Sequence, residues 1–227
     1  MTEYGETWVY ESIVGAVPGL DLSEGEAVAV QFLAFEAGVL ALAAAYGLWA
    51  AVLPATAAVL VAALGSAFML DLGGRLRSVD VPDDYAALLF GSSVEVVLGL
   101  LAYAALLTYL FVVDPRADSP LLVGLLGPDP PALAVYLLLL VCWDVCYRIG
   151  TGWWAAVAAL YRSLTHTFDP ETARVLRVAD AETVGFALVQ LGLLPFLRGH
   201  PLLAFAVVGH VVAVLAVAGT AALTLGN

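Results

Sequence analysis

The stretch ALAVYLLLLVCWDVCYRIGTGWW, residues 132–154, decides the fold class. Its opening run, Ala132 to Val141, is wholly uncharged and reads as a helix in lipid. An acid, Asp144, and a base, Arg148, follow it, and then Gly150-Thr151-Gly152. Asp144 and Arg148 are four residues apart, so one helical face carries both in pairing distance. Charges inside a span are costly and belong to a pathway, a site or a locked internal contact. The glycines read as the end of a span over 132–149. Trp153-Trp154 then falls at the membrane boundary and a surface helix runs over 153–165 on the cytoplasmic side. One long tilted helix from 132 to 163 is the alternative reading.

Working outward, five further runs are apolar enough to span. Ser23-Glu24-Gly25-Glu26 has the form of a capping box and opens a span over 27–50. Leu53-Pro54 reads as a tight turn into a span over 55–71. A polar loop with Arg75 and Arg77 leads to Val81-Pro82-Asp83-Asp84, a helix start, and a span over 88–113. Residues 114–131 are rich in Pro and Asp and read as a loop, with a short apolar re-entry at Leu121–Leu126. Asp169-Pro170-Glu171 caps a polar helix carrying Arg174 and Arg177. Spans over 181–198 and 202–224 complete an all-α membrane bundle of six helices. Residues 1–26 are acidic, and Trp8 to Val17 is expected as a helix lying in the headgroup layer. With no basic segment ahead of it, the first span is expected to direct insertion itself.

The composition agrees. Of 227 residues 63% are hydrophobic and 12% charged, where a soluble domain has about 25% charged. Net charge is −12, and every basic residue is Arg. Nucleic-acid binding needs a basic stripe, so it is excluded. An acidic surface without Lys resembles the proteins of extreme halophiles, which suggests an archaeal source. Five Arg, at 75, 77, 162, 174 and 177, fall on the side of the N-terminus, against Arg116 and Arg198 opposite. The positive-inside rule then puts both termini in the cytoplasm, in the cell membrane.

The polar residues of the spans are the candidate pathway. From the rise of a helix, Glu36 lies roughly 14 Å in from the cytoplasmic side, Glu95 roughly 10 Å, Asp144 roughly 8 Å and Gln190 roughly 14 Å. Glu36, Glu95, Asp144, Arg148 and Gln190 therefore form a set at shared depth, the kind of group a proton relay or cation site uses. The plainer alternative is a surface pair, with Arg148 snorkelling to the headgroups. Cys142 and Cys146 lack metal or redox spacing and read as small apolar fillers. His210, alone in a span, reads as a packed side chain. No hydrolase, metalloprotease or phosphate-loop motif is present, and no cofactor is implied.

Three functions follow. The first is a small-cation or proton transporter or channel. The second is a non-catalytic subunit or scaffold of a larger membrane complex, with Gly209, Ala213 and Ala216 as a small-residue face for packing or self-association. The third is a lipid-modifying enzyme around Asp144, Arg148 and His166. The expected partners are the lipid bilayer and either a second copy or another membrane protein.

Overall fold

The computed structural model describes Trp8 and residues 22–225. The expected N-terminal helix falls outside the described residues. Six helical runs are long and apolar enough to cross a membrane. No strand occurs among the described residues.

Helix α1 spans Glu24–Tyr46. Its capping box forms as the sequence predicts: the Ser23 hydroxyl accepts from Glu26 N–H, and Glu26 accepts from Ser23 N–H at 2.8 Å. The chain turns at Gly47, not at Leu53-Pro54. Gly47 has φ +73°, a left-handed conformation that lacks the Cβ penalty only in glycine. Helix α2 then runs Trp49–Arg77 with Pro54 inside it. There, in the second turn, the proline removes one backbone bond without ending the helix.

The third run is broken. Helix α3 covers Asp83–Ala86, a π-turn follows over Ala87–Gly91, and α4 begins again at Val94 and ends at Thr108. Ser93 takes φ +55° at the break. A second π-turn, Tyr109–Val113, and a 3₁₀ turn, Asp114–Arg116, close the run. The six-residue α5 covers Leu121–Leu126. Both Asp114 oxygens accept from its start, Leu121 N–H at 2.8 Å and Leu122 N–H at 3.0 Å.

Helix α6 runs unbroken over Ala132–Thr165. The break at Gly150 and the separate surface helix are therefore not present. The reason is packing. A Cβ on Gly150 would lie 2.6 Å from the Gly99 backbone nitrogen, and one on Gly99 would lie 3.0 Å from Tyr147 Cα. These glycines let α6 and α4 touch backbone to backbone, as small residues do between membrane helices. Thr151 stays in the helix by donating to the Tyr147 carbonyl at 3.0 Å.

Helix α7, Pro170–Val189, starts at Asp169, whose carboxylate accepts from Glu171 and Thr172 N–H. It takes in both the polar helix and the expected span, and tightens to a 3₁₀ turn over Gln190–Leu197 around Pro195. Helix α8 is Pro201–Thr224. Its buried face is Val211, Val214, Ala218 and Ala221, while the Gly209–Ala213–Ala216 stripe turns away from the bundle's interior.

The runs alternate in direction. One end of the bundle holds Glu24, Arg77 and Thr165; the other holds Gly47, α5 and His200. Helix α6 is central and packs against α1, α2, α4, α7 and α8. The outer helices present large apolar side chains outward, such as Phe205 at 73% exposure and Leu223 at 80%. Such a contiguous apolar exterior suits lipid, as expected of a multi-pass membrane protein.

Candidate functional site

Polar contacts join the helices in the middle of the bundle and near both ends, and α6 takes part in the middle one and in that at the Glu24 end. The middle one contains the Asp144–Arg148 pair. Arg148 donates through Nε to Asp144 Oδ1 at 3.1 Å, and Gln31 of α1 donates to Asp144 Oδ2 at 2.6 Å. Ser66 of α2 donates to Gln31 Oε1 at 3.0 Å, and Arg148 Nη1 reaches the Met69 sulfur at 2.9 Å. All five side chains are buried, Arg148 at 0% exposure. Gly65 makes room for it, since a Cβ there would lie 2.7 Å from Arg148 Cβ. Arg148 thus does not snorkel. Because α6 continues to Thr165, the pair lies near mid-helix and not close to one surface.

At the Glu24 end, Arg162 is also buried, although the sequence suggests a surface helix there. It donates to Asp180 of α7 at 2.6 Å, to Tyr85 at 2.9 Å and to the Leu176 carbonyl at 3.2 Å. Arg75 adds a tie between α2 and α7 through Glu182 at 2.6 Å. At the Gly47 end, His200 Nδ1 lies 3.1 Å from the Tyr109 hydroxyl and 3.4 Å from Asp114.

The remaining candidates do not join the Asp144–Arg148 contact. Glu36 is half-buried on α1 and accepts from Thr56 at 2.8 Å through Oε1, while Oε2 has no partner. Glu95 is fully buried, and neither carboxyl oxygen has a hydrogen-bond partner. Its backbone carbonyl lies against Gly150. Gly150 is two residues from Arg148, so the two point about 200° apart around α6, and Glu95 packs on the far side. His166 pairs with Asp84 at 3.2 Å, about 27 Å along the helix from Arg148. The lipid-enzyme grouping of Asp144, Arg148 and His166 therefore does not assemble. Among the described residues no three His, Cys, Asp or Glu side chains gather as a metal site.

Gln190 stands elsewhere. It lines a cavity of about 660 Å³ in the Gly47 half of the bundle, between α1, α2, α4, α6, the 3₁₀ turn and α8. It is 1% exposed, and neither its amide oxygen nor its nitrogen is hydrogen-bonded. His210 lines the same cavity, its buried Nε2 also without a partner.

Sequence reasoning recognised Asp144–Arg148 from its spacing. It missed Gln31, Ser66, Arg162 and Asp180 as members of buried contacts. Their partners come from other helices, which local spacing does not show. No curated protein and no solved structure matches the chain. Over residues 3–221 the chain matches the model of a family of unknown function, DUF7530, and it belongs to that family.

Proposed function

We propose that the protein is a proton transporter or channel of the membrane, with Glu95 as the group that takes up and releases the proton. The observation that carries this reading is the burial of Glu95 with no partner on either oxygen. An ionised carboxylate there would be an unpaired charge inside the bundle, which is costly, whereas the neutral acid is tolerated. Such a group exchanges its proton only when the surroundings open to water. The surroundings suit opening: Glu95 is in the first turn of α4, directly after the left-handed Ser93 and a π-turn. Irregular turns of this kind cluster where helices do functional work. Glu36, with one unbonded oxygen, serves as a second exchange point. A lone neutral carboxyl suits a proton better than a coordinated metal cation. Asp144 and Arg148 neutralise each other and hold the helices around the path.

The second reading is a non-catalytic scaffold subunit. The buried polar contacts that tie α6 to α1, α2 and α7 favour it, because they fix the bundle rather than open it. In either reading both termini face the cytoplasm and the bilayer is the first partner.

The test is proton flux in proteoliposomes at high salt, with an internal pH dye. Wild type is expected to pass protons down a gradient, Glu95→Gln to abolish the flux, and Glu36→Gln to reduce it. Undiminished flux in a folded Glu95→Gln protein sinks the assignment. No flux in wild type under any gradient moves the protein to the scaffold reading.

A further inference from the structure

We infer that the cavity beside Gln190 binds a long-chain aliphatic or isoprenoid alcohol, with the Gln190 amide as its anchor. Its volume of about 660 Å³ lies within the range of small-molecule sites. The wall is almost wholly apolar, built from residues such as Val141, Leu193 and Val207, and contains no Asp, Glu or Arg. An apolar body therefore fits, and a charged end would be left without a counter-charge.

The polar end is specified by Gln190. Its amide offers two N–H donors and a carbonyl acceptor, and none of these is used inside the protein. A buried polar group without a partner is destabilising, so this one calls for a partner from outside the chain. A hydroxyl both donates and accepts, and satisfies both halves of the amide. A carboxylate only accepts and would leave the amide carbonyl unpaired; a bare hydrocarbon satisfies neither half. His210 Nε2, on the same wall, is a second contact for the hydroxyl. The Trp153 ring, 6.3 Å from the imidazole, holds it in place. None of this uses Glu95, so the site stands apart from the proton reading.

The test uses the full chain in detergent micelles and native mass spectrometry, with four probes. Farnesol and hexadecanol are expected to be retained, while hexadecane and ionised palmitate at alkaline pH bind at least about tenfold more weakly. The tighter of the two alcohols tells isoprenoid from straight-chain ligand. Gln190→Leu is expected to weaken alcohol binding about tenfold, and Ala206→Trp, which fills the cavity, to abolish it. Without ligand, Gln190→Leu should unfold at the wild-type temperature or above, since it removes an unsatisfied amide. Should that variant not fold, His210→Leu reads the same loss of binding. Hexadecane held as tightly as hexadecanol, or alcohol binding unchanged in Gln190→Leu, overturns the proposal.

Discussion

Arg148 is an arginine with no route to water. It is fully buried, and its charge is answered within its own helix by Asp144, whose other oxygen is taken by Gln31. Breaking such a pair from one side leaves the other charge bare, a loss of about 3–5 kcal/mol. Replacing both partners by apolar groups of similar size costs much less. Arg148→Met is therefore expected to destabilise the bundle strongly, and Asp144→Leu with Arg148→Met to recover much of the loss. Thermal unfolding of the two variants in detergent checks this, and additive losses would show that the pair is not coupled. The residue scale was partly legible in the sequence. The spacing of four placed Asp144 and Arg148 on one face, but Gln31 and Ser66 are set by the packing of α1 and α2 against α6.

At the scale of the element, α6 is the informative case. Gly150-Thr151-Gly152 reads as a break because isolated glycines weaken a helix. In the bundle Gly150 is the contact with α4, while Gly152 packs against Phe186 of α7 and Phe68 of α2. The ends that were legible are those with a local cause, the Ser23–Glu26 capping box and the Asp169-Pro170 start. The end of span four was not legible, because a glycine's role here depends on a partner helix distant in sequence. Gly150→Ala would drive a methyl into backbone atoms of α4 at 2.6–3.1 Å, where no side chain can move aside. Overpacking of this kind costs about 1–3 kcal/mol or more. Gly185→Ala meets nothing within 4 Å and is the matched control. Equal melting temperatures for the two variants would refute the close α4–α6 contact.

At the scale of the whole molecule, charge and lipid set the conditions. The chain carries 20 acids against 8 basic residues, and among the described residues several of the basic ones are already committed to buried or half-buried pairs. Among the described residues much of the surplus negative charge is exposed, as at Asp80, Asp83, Asp118 and Asp129, where like charges repel. Salt shortens the reach of that repulsion, to about 10 Å at 0.1 M and about 3 Å at 1 M. Stability is therefore expected to rise with sodium chloride, read as melting temperature from low salt to molar salt. A flat or falling curve would show that the acids do not repel one another in the fold. Six spans and their apolar character were legible, because hydropathy is a sum over many residues. The sharing of polar groups between separate contacts and a cavity was not, because it depends on how the spans are turned about their axes.

The Arg162 contact also bears on how the chain is made. Synthesis runs from the N-terminus, so Gln31 and Ser66 are already in the membrane when α6 emerges, and Asp144 comes with it. Asp180 and Leu176, which Arg162 needs, do not yet exist. Arg162 lies in the last turn of α6, where an arginine without a partner reaches the headgroups along its own stem. A nascent chain that ends after Thr165 would thus hold Arg162 among the headgroups. The arrival of α7 would then draw its side chain inward, making assembly of this bundle stepwise and ordered by translation.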